Sequence, residues 1–412
     1  MRADTDMTDA LVERGRAALL RRNAVCAAFF TAEAPRLAAA CHEMSRRFLA
    51  GGRLLAFGRG AAATDAQHVS VEFVHPVIVG KRALPALDLG PDFAARLRVI
   101  TRPDDMVMGF ASPCGSSPSG EAMALERALR IAGERGALTF ALPGEGGDYP
   151  FAPPDEDSFV CQEVFEILYH MLWETVHVYF EHREQGHDVG ASSFLYPFLG
   201  SQEQQLTTVV DEVQGSMLQK MEEVNRLRAM VADEEARAIA RVAAAISARL
   251  RRGGQLIVFG NGGSATDAND LVADCVDPPP GSTPIPAISL AVEPANITAI
   301  ANDIGAEAIF TRQLIAHARP ADIAVGISTS GGSANILAAL AEARRRGLLT
   351  VGLVGYDGGR IVSERLVDHA IVVRSDYIPR IQEAQASVYH VLCALIEESH
   401  WWRPEGDNRW QA

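Results

Sequence analysis

The chain repeats its own sequence, and this internal repeat constrains the fold more than any other feature. Three motifs occur twice, in the same order. The matched pairs are 54–68 with 256–270, 105–112 with 322–329, and 161–170 with 381–390, at offsets of 202, 217 and 220 residues. The first pair reads LLAFGRGAAATDAQH and LIVFGNGGSATDAND. The chain therefore contains two copies of one domain, and the first copy is shorter between its motifs.

A stretch rich in turn-forming residues, 186–201, separates the two copies. It predicts an N-terminal domain over residues 1–190 and a C-terminal domain over residues 201–412. A long helical pattern opens each domain, dense in Ala, Glu, Arg and Leu. We expect the first of these helices to break near Pro35, because proline lacks the N–H that a helix interior uses.

Short apolar runs alternate with helical patterns in each copy. In the second copy the runs are 255–259, 285–290, 323–327, 350–354 and 370–373. Uninterrupted apolar strands between helices indicate a parallel sheet that is covered on both faces. The predicted fold class is therefore α/β, with a parallel sheet flanked by helices in each domain.

The charge balance restricts the partners. With 52 acidic and 38 basic residues, the net charge is −14, which argues against nucleic acid. A small anion stays possible, because backbone N–H groups can hold a phosphate in an acidic protein. No signal peptide or membrane span is expected, and the six widely spaced cysteines are read as reduced thiols of a cytoplasmic protein.

Two loops of the second copy are suited to a phosphate group. The glycine loop, 260–264, follows one predicted strand and offers Asn261, Gly262 and Ser264. The serine loop, 328–334, follows another predicted strand; its hydroxyl residues are Ser328, Thr329, Ser330 and Ser333. Alone, the first could be a tight turn or part of a dinucleotide site, and the second a helix N-cap. Together they favour a sugar phosphate over a nucleotide, since both would lie at the carboxyl ends of strands.

With these motifs the chain resembles the SIS-domain phosphoheptose isomerases, also called sedoheptulose 7-phosphate isomerases. The segments that carry the resemblance are FGNGGS (259–264), AND (301–303), GISTSGGSAN (326–335), GYDGG (355–359) and RIQEA (380–384), followed by His390. The resemblance implies an aldose–ketose isomerisation through an enediol, in a homotetramer with sites at subunit interfaces. It also implies a His–Glu pair and a Gln–His pair that meet at the site. In some members these four residues bind zinc.

The first copy keeps that whole quartet. By resemblance, His68, Glu72, Gln162 and His170 are its metal ligands, and Glu72 and His170 are its acid–base pair. Its glycine loop has changed to GRGAA (58–62), and its serine loop to ASPCGSSPS (111–119).

The second copy shows the opposite pattern. It keeps both phosphate loops, together with Gln382 and His390. However, Asp270 stands where the family has His, and Asp274 stands where it has Glu. A site with one imidazole and two carboxylates would be unusual for zinc.

The predicted function is an aldose–ketose isomerase acting on a sugar phosphate, with sedoheptulose 7-phosphate as the expected substrate and zinc or another divalent metal as the cofactor. We hypothesise that the two copies form a pseudo-dimer, in which the first supplies the quartet and the second the phosphate loops. A homodimer of the chain would then mimic a tetramer of single domains. The alternatives are a non-catalytic sugar-phosphate sensor or partner-binding protein, and a changed reaction on a related phosphosugar.

Overall fold

A computed structural model describes residues 2–78, 81–111, 120–144, 146–184 and 206–399. The chain divides into two compact units. One unit is Val25–Glu223, which we call the first unit; the other, the second unit, joins Met1–Ala24 to Val224–Ala412. The predicted domain boundary at 186–201 lies outside the described residues, as do Cys114 and most of the first copy's serine loop, so the domain limits stay a prediction.

The first half of the chain contains five helices and five strands in its described parts. In chain order they are α1 (Arg2–Leu49), β1 (Leu54–Phe57), α2 (Ala62–Val74), β2 (Ala86–Asp88), α3 (Phe93–Ile100), β3 (Met106–Phe110), α4 (Gly120–Gly133), β4 (Leu138–Leu142), β5 (Tyr149–Pro150) and α5 (Ser158–Glu184).

The second half follows the same plan with more helices. Its elements are α6 (Leu206–Glu234), α7 (Ala236–Leu250), β6 (Leu256–Phe259), α8 (Gly263–Val276), β7 (Ala287–Ser289), α9 (Pro294–Asp303), α10 (Ile309–His317), β8 (Ile323–Ser328), α11 (Ala334–Arg345), β9 (Leu349–Gly355), α12 (Gly359–Ser363), β10 (His369–Val373) and α13 (Ile378–Glu398). A short 3-10 turn, Ala306–Ala308, precedes α10.

Both sheets are parallel and have one strand order. The first is β2-β1-β3-β4-β5, and the second, written from its other edge, is β7-β6-β8-β9-β10. Equivalent strands of the two copies therefore occupy equivalent places, and every described pairing is parallel. The predicted α/β class, the two copies and all five strands of the second copy are confirmed.

Burial of the central strands explains why the runs are continuously apolar. Every residue of β1, β3 and β4 is buried, as is every residue of β6, β8 and β9. Helices cover these strands; in the second unit, for example, Phe259, Phe310 and Ile336 share one apolar cluster. This packing fixes where each strand ends, and therefore where each following loop lies.

The prediction that the first helix breaks near Pro35 was wrong. The helix α1 continues through Pro35. Ala34, Leu37 and Ala38 are almost completely buried beside it, and this packing offsets the one missing backbone hydrogen bond. The corresponding helix of the second copy is divided instead, because α6 and α7 meet at Glu235.

Within the described ranges, one helical stretch, Asp9–Leu49, is long and apolar enough to cross a membrane. A buried core helix meets the same criteria of length and composition, so this is weak evidence for a span. Cytoplasmic location stays a prediction.

Candidate functional site

The two predicted phosphate loops lie side by side in the second unit. The glycine loop joins β6 to α8, and the serine loop joins β8 to α11. Since β6 and β8 are hydrogen-bonded neighbours in a parallel sheet, both loops lie at the same carboxyl edge. That edge is where open α/β sheets bind ligands.

Glycine is required at specific positions of these loops. Gly262 adopts φ 57° and ψ −125°, a conformation open to glycine almost alone. A Cβ on Gly260 would lie 2.1 Å from the Ser264 carbonyl oxygen. In the serine loop, Gly331 has a φ of +60°, and its Cβ would lie 2.2 Å from the Gly358 carbonyl oxygen. Close backbone packing therefore leaves no room for a side chain at Gly260 in the first loop or at Gly331 in the second.

Side chains tie the two loops to each other. Asn261 and Asn335 exchange reciprocal amide hydrogen bonds of 2.9 and 2.8 Å. The Ser328 hydroxyl accepts a bond of 3.1 Å from the Gly331 N–H, and Ser330 accepts one of 3.3 Å from the N–H of Gly332. These contacts hold the loop in place before any ligand binds.

The side chain of Ser333 bears on whether the serine loop is a plain helix N-cap or a ligand-binding loop. Ser333 is the residue before α11, yet its side chain makes no capping hydrogen bond. Thr329 and Ser333 are half-buried, and Ser330 is exposed, while Ser264 is buried at the start of α8. The hydroxyl of Ser333 is therefore not used as a plain N-cap, which favours the ligand-binding interpretation.

The second unit brings Asp270, Asp274 and His390 together. His390 Nε2 lies 3.1 Å from Asp274 Oδ2 and 3.6 Å from Asp270 Oδ2, and all three side chains are buried. The Tyr389 hydroxyl donates a 2.7 Å bond to Asp270 Oδ2. The ligand atoms of Asp270, Asp274 and His390 lie within 4.8 Å of one another, close enough to hold a cation. Gln382 is buried on the same helix as His390, α13.

In the first unit, the predicted quartet lies on α2 and α5, where His68, Glu72 and His170 are buried and Gln162 is half-buried. His68 and Glu72 belong to α2, and the distance between His68 Nε2 and Glu72 Oε1 is 3.7 Å. The rings of His68 and His170 meet edge to face at 5.2 Å between centroids. The Gln162 amide donates a long bond of 3.5 Å to the Thr64 hydroxyl.

Sequence reasoning missed Glu166. It lies on α5, one turn from both Gln162 and His170, and is almost completely buried. Its carboxylate, together with the imidazoles of His68 and His170, forms a cluster whose ligand atoms all lie within 4.8 Å of one another. The available signal was its spacing of four residues from His170, which places both side chains on one helical face.

The first copy's glycine loop keeps its backbone shape although its side chains differ. Gly60 has the same φ, +57°, as its counterpart Gly262. A Cβ on Gly58 would lie 2.1 Å from the Ala62 carbonyl oxygen, just as Gly260 approaches Ser264. The loop therefore differs in its side chains while keeping its turn. The counterpart of the serine loop, 112–119, lies outside the described residues.

Comparisons with known proteins agree with these motifs. The SIS domain family model matches residues 221–355. The phosphoheptose isomerase of Nitratiruptor sp. is 47% identical over 146 residues, which are 35% of this chain and 77% of that relative. That of Thermodesulfovibrio yellowstonii is 38% identical over 188 residues, 45% of this chain and 92% of the relative.

The chain belongs to the phosphoheptose isomerase family.

Solved structures of other proteins cover most of the chain. The C-terminal domain of glucosamine-fructose-6-phosphate aminotransferase from Francisella tularensis covers 92% of this chain and 94% of its own, with a TM-score of 0.55 and 12% identity. The tagatose-6-phosphate ketose/aldose isomerase from Escherichia coli covers 96% and 92%, with a TM-score of 0.50 and 14% identity. At such low identity these likenesses bear on the fold alone.

Proposed function

We propose that this protein is an aldose–ketose isomerase that acts on a phosphorylated sugar, interconverting sedoheptulose 7-phosphate and a heptose 7-phosphate. The observation that carries the proposal is the buried cluster of the first unit, where Glu72, His68 and His170 converge from two helices. The relatives are named phosphoheptose isomerases, which supports the same reaction class.

The proposed chemistry is a proton transfer between C1 and C2 of the sugar through an enediol. Glu72 would remove and return the proton, and His170 would serve the sugar oxygens. A buried carboxylate and a buried imidazole are groups that perform such general acid–base steps. Both side chains are almost fully buried, so water is largely excluded from them.

A divalent metal fits the donor set of the first unit. His68, His170 and a glutamate supply two imidazole nitrogens and one carboxylate, a combination found in catalytic zinc sites. When bound, such a metal would polarise the sugar carbonyl.

The sugar's phosphate is assigned to the glycine and serine loops. Backbone N–H groups of a helix start, with the hydroxyls of Ser328, Thr329, Ser330 and Ser333, can bind a phosphate monoester without Lys. These loops belong to the second copy, and the intact quartet belongs to the first. The hypothesis that the two copies share one site, and that the chain forms a homodimer, stays a prediction.

A sugar-phosphate sensor is the second candidate function. The observation that favours it is the second unit's cluster, where Asp270 and Asp274 contact His390 instead of the His–Glu pair of the family. A protein with working phosphate loops and no turnover would bind the sugar as a signal.

An isomerase assay with sedoheptulose 7-phosphate tests the proposal, comparing wild type with Glu72→Gln. Removal of a general base costs about 10²–10⁴-fold in rate. We expect Glu72→Gln to lose turnover to that extent and to keep its fold, while Asp274→Asn, the matched change in the second copy, keeps most of the rate. Turnover that survives Glu72→Gln would refute the assignment. Thermal stabilisation by the sugar phosphate without turnover would favour the sensor.

A further inference from the structure

The first unit's cluster contains a carboxylate, that of Glu166, which the family resemblance does not assign. Glu166 belongs to α5 and lies one turn before His170 on the same face of that helix. His68 approaches from α2. The ligand atoms of these three residues lie within 4.8 Å of one another, and all three side chains are buried.

The composition of this trio matches a transition-metal site. Two imidazole nitrogens and one carboxylate oxygen are a common catalytic set for zinc, which leaves a fourth position for substrate or water. A divalent cation between α2 and α5 would compensate the charge of Glu166 and of neighbouring Glu72.

Gln162 and Glu72, the other two residues of the predicted quartet, do not belong to this trio. The Gln162 amide nitrogen is directed to the Thr64 hydroxyl, 3.5 Å away, at the start of α2. An uncharged amide is also a weaker ligand for zinc than a carboxylate. Glu72 is near His68 Nε2, at 3.7 Å, but is not one of the three residues whose ligand atoms cluster.

The repeat shows that Glu166 is particular to the first copy. At the offset of 220 residues, its counterpart in the second copy is Ala386. His170 has His390 as its counterpart and Gln162 has Gln382, so the glutamate is an addition to a face that is otherwise shared. Nothing in the repeat requires a carboxylate there for packing, since alanine is buried at the equivalent position.

We propose that His68, Glu166 and His170 form a divalent metal site, with Glu166 as its carboxylate ligand, and that Glu72 stays outside the ligand set. Glu72 is then free to act as the base. This division of roles rests on the proposed function, but metal binding by the trio does not.

The test measures zinc and cobalt affinity of the full chain by competition with a chromophoric chelator, without any sugar. We expect about one tightly bound metal per wild-type chain. Removing a residue that only hydrogen-bonds to a metal ligand, without touching the metal, already lowers metal affinity by about 10–100-fold. Glu166→Gln, which keeps the side-chain volume, should therefore lose about 100-fold or more. Gln162→Ala and the second-copy control Asp274→Asn should lose less than about tenfold.

Cobalt spectra add a readout that a structural role would not change. The d–d absorption of the bound cobalt should alter in Glu166→Gln and persist in Glu72→Gln. Thermal unfolding of each metal-free variant checks that it is folded. The proposal is overturned if wild type binds no metal, if Gln162→Ala loses more affinity than Glu166→Gln, or if Asp274→Asn abolishes binding. Metal binding as expected with no isomerase turnover would refute only the proposed function.

Discussion

Two adjacent glycines in the serine loop should respond very differently to alanine. At Gly331 the backbone φ is +60°, which costs an alanine about 1–2 kcal/mol. The new Cβ would also lie 2.2 Å from the Gly358 carbonyl oxygen, so one backbone segment must move by roughly 1 Å to reach an ordinary contact.

That movement would disturb two hydrogen bonds. Gly331 donates its N–H to the Ser328 hydroxyl and accepts from the N–H of Ile361, each at 3.1 Å. Such bonds contribute about 0.5–1.5 kcal/mol each. Adding the backbone strain gives about 2–5 kcal/mol lost in Gly331→Ala. At Gly332 the nearest atoms to a new Cβ are 3.9 Å away, so Gly332→Ala should change stability by less than about 1 kcal/mol.

Urea denaturation measures the free energy of unfolding, and calorimetric titration with sedoheptulose 7-phosphate measures binding. We expect Gly331→Ala to weaken sugar-phosphate binding by about tenfold or more. A distorted loop that loses about 1.4 kcal/mol of binding free energy already binds tenfold more weakly. Gly332→Ala should bind within about threefold of wild type. Equal stability and equal affinity in the two variants would refute the reasoning that close backbone packing holds this loop.

Three further predictions concern the framework around the sites. Arg53→Gln removes the side-chain bonds that a guanidinium makes to the fully buried Asp105, and should lower stability by about 1.5–3 kcal/mol in urea denaturation; no change would contradict a role for this pair. Thr350→Val removes the hydroxyl that donates to and accepts from Asp368, at 3.0 and 2.9 Å, and should cost about 1–3 kcal/mol by the same measurement, whereas Thr350→Ser should recover most of it. Burial raises the pKa of the Cys41 thiol to about 12, so iodoacetamide at neutral pH should modify Cys41 only after unfolding; peptide mapping that finds it modified in the folded protein would contradict its burial.

The repeat made most of the fold predictable from the sequence. Continuous apolar runs identified the strands of the second copy, because a strand buried on both faces has no polar alternation. The shared order of the two sheets follows from the shared order of the motifs. The continuity of α1 through Pro35 could not be predicted, since local propensity favours a break and only tertiary packing overrides it.

The candidate sites were predictable where a residue had a counterpart in the repeat or in the family. His68, Glu72, Gln162 and His170 were found in this way, and the structure places them on two facing helices of one unit. Glu166 aligns with Ala386 in the repeat and lies in none of the motifs that carry the family resemblance, so comparison could not find it. Likewise, the bond from Tyr389 to Asp270 depends on how α8 and α13 pack, which the spacing along each helix does not determine.

In the second copy, Asp270 and Asp274 stand where the family has His and Glu. These replacements change the contacts of the site as well as the lengths of the side chains. An aspartate is one methylene shorter than a glutamate, yet Asp274 still reaches His390 at 3.1 Å. Asp270 accepts a hydrogen bond from Tyr389, so part of its charge is already compensated without a metal. In the first copy the equivalent tyrosine, Tyr169, packs against the ring of His68 instead, at 5.3 Å between centroids.

Each tyrosine thus supports the residue present in its own copy. Restoring His at position 270 alone would therefore lose a hydrogen bond without recreating the environment of His68. We expect a paired exchange of Asp270→His and Ala386→Glu, the counterparts of His68 and Glu166, to be needed before the second copy gains the metal affinity of the first; zinc titration that finds the same gain in Asp270→His alone would contradict this.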